Sequence, residues 1–123
     1  MNAAQRGKAG EVLAAAFLEQ NGYQIIARNF YCRGGELDIV ARKDGVLVFA
    51  EVRTRQKGGM VSPAESVTAA KRKKIVAAAY AFLEQNPRLE QTLQPRFDFI
   101  SVEAVGKDTA NWQIDHLCDA FQL

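Results

Sequence analysis

The sequence has little of what soft-metal and nucleophilic chemistry needs: one histidine, His116, and two cysteines, Cys32 and Cys118. Two cysteines without C-x-x-C spacing exclude a disulfide framework and imply free thiols. His116 and Cys118 stand two residues apart, yet with Cys32 they offer zinc three ligands at best, at no supporting spacing. A Ser/His/Asp or Cys/His arrangement is equally weak, with its histidine on an expected edge strand. Long apolar runs are missing too. Residues 12–18 are a short apolar stretch directly preceded by Glu11, and residues 1–8 are polar, so neither a signal peptide nor a membrane span is expected and the default compartment is the cytoplasm. Compositional bias is also lacking. With 48% hydrophobic and 24% charged residues, the chain reads as globular, and 123 residues fit one domain (1–123) with a modest core.

The net charge of +2 hides an asymmetry. Residues 1–74 hold thirteen Lys and Arg against seven Asp and Glu; residues 75–123 hold three against seven. Carboxylates inside a basic surround suit a phosphodiester substrate, because the field attracts the backbone while the acids hold a metal.

What is there is concentrated in residues 34–55. Apolar, β-branched runs flank Asp44-Gly45, a favoured type I′ turn pair, and predict a β-hairpin. If those two residues form the loop, Lys43 faces Val46 and Asp38 faces Glu51, both side chains on one face. Directly opposed Cβ atoms lie roughly 5 Å apart, and two unit charges at that distance repel by ~3 kcal/mol at an effective dielectric of about 20. Solvent, or Arg53 two residues along on the same face, could neutralise the pair. A hard cation such as Mg²⁺ could do so as well, held by one or two carboxylates, waters and substrate phosphate. A three-residue loop would send the two carboxylates to opposite faces.

Elsewhere the periodicity predicts a helix over residues 5–20 carrying Glu11 and ended by Asn21-Gly22, with Gly7 and Gly10 marking a frayed start or a close approach by backbone or phosphate. A first strand is expected over residues 23–28, then a polar connection at 29–34. Leu37, Ile39, Val48 and Val52 fall on one hairpin face and Val40, Leu47 and Phe49 on the carboxylate face, so the sheet needs layers on both sides. Residues 56–62, with Gly58-Gly59, read as a substrate-gripping loop. A second helix is expected from Thr68 to about residue 85, with a capping box at residues 62–65 as a competing start. A loop, a strand over 96–105 and a short strand over 112–117 follow. The run Lys71, Arg72, Lys73 and Lys74 is either a solvated helix face or a phosphate contact; cations in a first helical turn oppose the helix dipole, and a phosphate would reverse that balance. Arg53, Arg55 and Lys57 extend the same basic region. Lys71 aims toward the sheet, while Arg72 and Lys73 point away.

Taken in order, G-x-x-x-E ending at Glu11, R-N-F at 28–30, G-E-L-D-I-V around Asp38, F-A-E-V-R-T-R around Glu51, Lys71, and R-F-D-F at 96–99 resemble the YraN-like family of small bacterial proteins. That family is similar in layout to archaeal Holliday-junction resolvases and belongs with the PD-(D/E)XK nucleases. The resemblance implies an α/β, restriction-endonuclease-like three-layer fold with a central mixed β-sheet flanked by helices. It also implies a metal-dependent nuclease acting on structured or branched DNA, with Asp38, Glu51 and Glu11 holding Mg²⁺ or Mn²⁺. Arg53 stands where the family pattern has a catalytic Lys; a guanidinium stabilises phosphate charge but cannot act as a base. Arg53 and Lys71 are then the catalytic cations, and Arg55, Lys57, Arg72, Lys73 and Lys74 the nucleic-acid contacts. The alternative is a nucleic-acid-binding module that lost catalysis with the Lys-to-Arg change. Resolving a four-way junction needs two sites, hence a homodimer.

Overall fold

The computed structural model describes residues 2–56, 67–104 and 111–121. Residues 57–62 of the expected gripping loop, Lys57 among them, and the competing capping box lie outside them, while Gln56 ends a strand. Helix α1 (Ala3–Gln20) precedes three strands, β1 (Gln24–Cys32), β2 (Gly35–Lys43) and β3 (Val46–Gln56). Helices α2 (Ala69–Gln85) and α3 (Pro87–Thr92) carry the chain to β4 (Gln94–Ala104) and β5 (Trp112–Phe121). The strands form one mixed sheet in sequence order, antiparallel except for the parallel β3–β4 pair that the α2–α3 crossover makes possible. Among the described residues no helix is long and apolar enough to cross a membrane.

The two apolar strand faces bury against different helices. Ile39, Val48, Val52 and Ile100 pack with Ala14 and Leu18 of α1, and Val40, Leu47, Phe49 and Phe97 pack with Ile75 and Phe82 of α2. The architecture is therefore helix, sheet, helix. The two-residue loop holds, with Asp44 at φ 54° and Lys43 paired with Val46. The α2 boundaries also follow the sequence, since the Thr68 hydroxyl accepts a hydrogen bond from the Lys71 N–H at 3.2 Å.

Four elements differ from expectation. Helix α1 starts at Ala3, because Asn2 and Gln5 form a reciprocal capping box. Gly10 does mark a close approach: a Cβ there would collide with the Thr54 hydroxyl, so the glycine lets α1 lie close on β3. Strand β1 runs on through the expected connection to Cys32, and β5 to Phe121; both are sheet edges whose exposed positions blur the apolar alternation. The expected loop after α2 contains α3, six residues opened by Pro87 with none buried.

Candidate functional site

The sheet forks at the two carboxylates. Strands β2 and β3 pair from Lys43↔Val46 to Ile39↔Ala50, whereas β3 and β4 stay paired as far as Gln56↔Ala104. Asp38 and Glu51 occupy the next rung of the β2–β3 register. There the Val52 N–H donates to Asp38 Oδ2 at 2.8 Å, so a side chain does what a ladder carbonyl would otherwise do. On the other side of β2, Asn29 adopts a left-handed φ of 54° between the pairs Arg28↔Ile39 and Phe30↔Leu37. The alternation of β2 breaks at this point. Leu37, expected beside Ile39, packs instead with Val40 on the α2 side.

Two ionised carboxyls on this rung would repel, so the pair favours a proton on one of them. Burial, and then the negative charge of Glu51, push the Asp38 pKa up from 3.8 to about 7. Glu51 is only 6% exposed, and its neutralising partner is Lys71, with Nζ 2.6 Å from Oε1. Arg53 approaches the same oxygen only to 3.9 Å, and its Nε has no hydrogen-bond partner among the described residues. Lys71 reaches the carboxylate because α2 lies hard against the start of β2: a Cβ on Gly35 would collide with the Lys74 carbonyl.

Glu51, Lys71 and Lys74 line a cleft of about 610 Å³ together with Tyr31, Arg33 and Glu36. The other expected contacts disperse. Lys73 is exposed, and the Arg72 guanidinium lies over the Phe121 ring, 5.5 Å from its centroid. Arg55 Nε stands 3.5 Å from Glu103 Oε1 across the parallel β3–β4 pair. Glu11 lines a separate groove of about 350 Å³ with Lys8 and Arg28. Burial and then the Asp38 charge raise its pKa, against a lowering hydrogen bond with Asn29. It feels Asp38 electrostatically without joining Asp38 and Glu51 in a tight three-ligand cluster.

The tight convergence among the described residues lies instead at Asp98, His116 and Cys118, whose ligand atoms fall within 4.8 Å of one another. Cys32 does not join them; it lines the cleft beside α2. Asp98 is fully buried. Arg96 donates from Nε to Oδ1 and from Nη2 to Oδ2, both at 2.8 Å, and the Asp119 N–H donates to Oδ1 at 3.0 Å. His116 Nε2 lies 2.6 Å from Oδ2. Burial raises the Asp98 pKa, but the hydrogen bonds from His116, Arg96 and Asp119 outweigh it and bring the value down to about 2. An ionised carboxylate only accepts, so Nε2 carries the proton and cannot deprotonate the Cys118 thiol 3.7 Å away. Burial, then the Asp98 charge, push that thiol up as well. This centre therefore lacks the activated nucleophile of a Cys/His pair.

The sequence profile described as "Uncharacterised protein family UPF0102" matches residues 10–102. The chain belongs to the UPF0102 family. A UPF0102 protein of Geobacter sulfurreducens is 45% identical over 117 residues, covering 95% of this chain and 88% of the relative. One from Geobacter metallireducens is 43% identical over 117 residues, covering 95% and 92%. A more distant one, from Clostridium perfringens, is 37% identical over 114 residues, covering 93% and 91%. The UPF0102 match spans Glu11, Asp38, Glu51, Lys71 and Asp98, and ends before His116 and Cys118.

Proposed function

We propose that this UPF0102 protein is a metal-dependent nuclease hydrolysing phosphodiester bonds in structured or branched DNA. The observation that carries the reading is the facing of Asp38 and Glu51 on the rung beyond Ile39↔Ala50, beside a cleft lined by Glu51, Lys71 and Lys74. Oxygen donors of this kind fit Mg²⁺ or Mn²⁺, and a cation at Asp38 and Glu51 relieves the repulsion between the carboxylates. Bound there, such an ion supplies Lewis-acid charge at the phosphodiester. The rest falls to the chain. Lys71 and Arg53 present positive charge to the phosphate oxygens as negative charge builds on them. Asp38 exchanges its proton near neutral pH, and its charge raises the Glu11 pKa. Arg53 holds charge without accepting a proton.

The second reading, a nucleic-acid-binding module with impaired catalysis, is favoured by the Lys71–Glu51 ion pair, because the ammonium already neutralises one of the two carboxylates.

Highly purified protein incubated with Mg²⁺ or Mn²⁺ and with four-way, forked, single-stranded and duplex DNA, and with RNA, separates the two. A nuclease cleaves in a metal-dependent way, loses that cleavage in both Asp38→Ala and Glu51→Gln, and keeps or raises it in Arg53→Lys. Cleavage that survives both carboxylate variants rejects this mechanism. If wild type and Arg53→Lys bind but never cut, and no metal binding is lost in Asp38→Ala, the module reading holds. Sedimentation on a four-way junction tests for the two-site homodimer.

A further inference from the structure

Tyr31 is 68% exposed, the most exposed of the large hydrophobic side chains among the described residues. It lies near the end of the edge strand β1, opposite Glu36 of β2. It is common to the walls of two cavities. One is the cleft holding Glu51, Lys71 and Lys74; the other is the groove holding Lys8, Glu11 and Arg28. The groove also contains Val12, itself 54% exposed. An aromatic ring thus stands on a ridge at the sheet edge, with lysine and arginine on either side and an aliphatic side chain in one of the flanking walls.

That pattern has a specific chemical complement. Phosphates need spaced cations, and an unpaired base needs a π face on which to stack; a continuous duplex keeps its bases stacked on one another and offers none. We propose that Tyr31 is the stacking platform for an unpaired nucleobase of a single-stranded DNA segment. The backbone of that segment crosses the β1 edge from the Lys8–Arg28 groove to the Lys71–Lys74 cleft. This rests on the nucleic-acid reading above and narrows its substrate class to DNA with an unpaired arm. It assigns Tyr31 to substrate binding and leaves the carboxyl pair to chemistry.

The test uses the full chain with chelator present, so that no cleavage intervenes. Fluorescence anisotropy compares a single-stranded oligodeoxynucleotide, a fork with unpaired arms, and a blunt duplex of the same length, each over a salt series. Tyr31→Ala is expected to weaken single-strand and fork binding by roughly 5- to 150-fold, the range for one base stacked on an aromatic ring. Blunt-duplex binding and the salt slope stay unchanged, because the ring carries no charge. Tyr31→Phe keeps wild-type affinity, since the ring and not the hydroxyl is used. Lys74→Ala, by contrast, lowers affinity for every probe and flattens the slope.

Three results overturn the stacking role while leaving nucleic-acid binding intact: Tyr31→Ala binding all probes like wild type, losing all of them equally, or being matched by Tyr31→Phe. Wild-type protein that binds none of the probes overturns both readings together. Thermal melts of each variant identify any loss due to unfolding.

Discussion

Asp38 and Asp98 occupy similar positions and have opposite electrostatics. Each lies in the sheet opposite a neighbouring-strand residue with φ 54°, Asn29 for Asp38 and Asp119 for Asp98, and each accepts a hydrogen bond from a backbone N–H. The difference is the remaining partner. Asp98 is met by a guanidinium, with two hydrogen bonds, and by an imidazole N–H, so burial is outweighed and the carboxylate stays ionised. Asp38 is met by another carboxyl, so burial and like charge add, and the lowering contribution of Lys71 ranks behind them. One site has its charges satisfied inside the protein. The other needs a proton or an external cation, which makes it the candidate for chemistry.

Removing Asp98 should give the largest effect. It leaves Arg96 without its carboxylate partner, and breaking a buried pair by deleting one member costs about 3–5 kcal/mol. Asp98→Ala is therefore expected to lower the urea midpoint strongly, while Asp38→Asn, which removes a like charge, leaves stability at pH 7 unchanged or raised. Equal losses in the two variants would erase the distinction between a satisfied and an unsatisfied carboxylate.

The pH dependence sharpens the contrast. The folded pKa of Asp38 is about 7 against an ordinary 3.8, so between those values the folded state holds the proton that the unfolded state has lost. Stability then falls as pH rises through this window, at up to about 1.4 kcal/mol per pH unit. The folded pKa of Asp98 is about 2, also against 3.8, so its contribution is complete above 3.8 and is lost as pH falls toward 2. Denaturant titrations from pH 2 to pH 8 should show both limbs, with Asp38→Asn abolishing the upper one and Asp98→Asn flattening the lower one.

Mn²⁺ provides a third and smaller separation. If it binds the carboxyl pair, it displaces the proton held by Asp38, so calorimetry near pH 6.5 should record proton release and stability should rise with metal concentration. At a hundredfold excess over Kd the gain is about 2.7 kcal/mol. Asp38→Ala should abolish both signals and Cys118→Ser neither; loss in Cys118→Ser would move the metal to the Asp98 centre.

Much of this was legible in the sequence where one local rule decided the outcome. Asp44-Gly45 fixed a two-residue loop, and the register followed from it, bringing Asp38 to Glu51. Thr68 fixed the start of α2, and helical spacing then aimed Lys71 at the sheet. What was not legible depended on breaks in periodicity. Leu37 changed sides because Asp38 replaces a ladder partner and Asn29 turns left-handed beside it. Tyr31 lies in β1 and not in the expected connection, because a half-exposed edge strand shows no clean alternation. The Asp98 centre joins β4 to β5 across a bulge between Phe97 and Phe99, and a bulge shifts register without any signal in the apolar pattern. The R-F-D-F motif and His116 were the available clues, but they became a site only once that register was known.

Lys71 gives the smallest effect and the finest distinction. Its side chain is 31% exposed and its ammonium sits 2.6 Å from a nearly buried carboxylate, so Lys71→Met should cost about 1 kcal/mol, at the upper end for a partly solvated pair. Because Lys71 lowers the Asp38 pKa, its removal should move the carboxyl titration seen by NMR to higher pH. Metal binding then decides between two roles for the same side chain. An ammonium that occupies the cation's place competes with Mn²⁺, so Lys71→Met should tighten Mn²⁺ binding above pH 8, where the Asp38 proton no longer interferes. An ammonium that instead holds Glu51 in position for the ion should, when removed, weaken that binding. Tighter metal binding with weaker DNA binding would assign Lys71 to the phosphate and the carboxyl pair to the cation; loss of both would make the Lys71–Glu51 pair the structural counterpart of Arg96–Asp98.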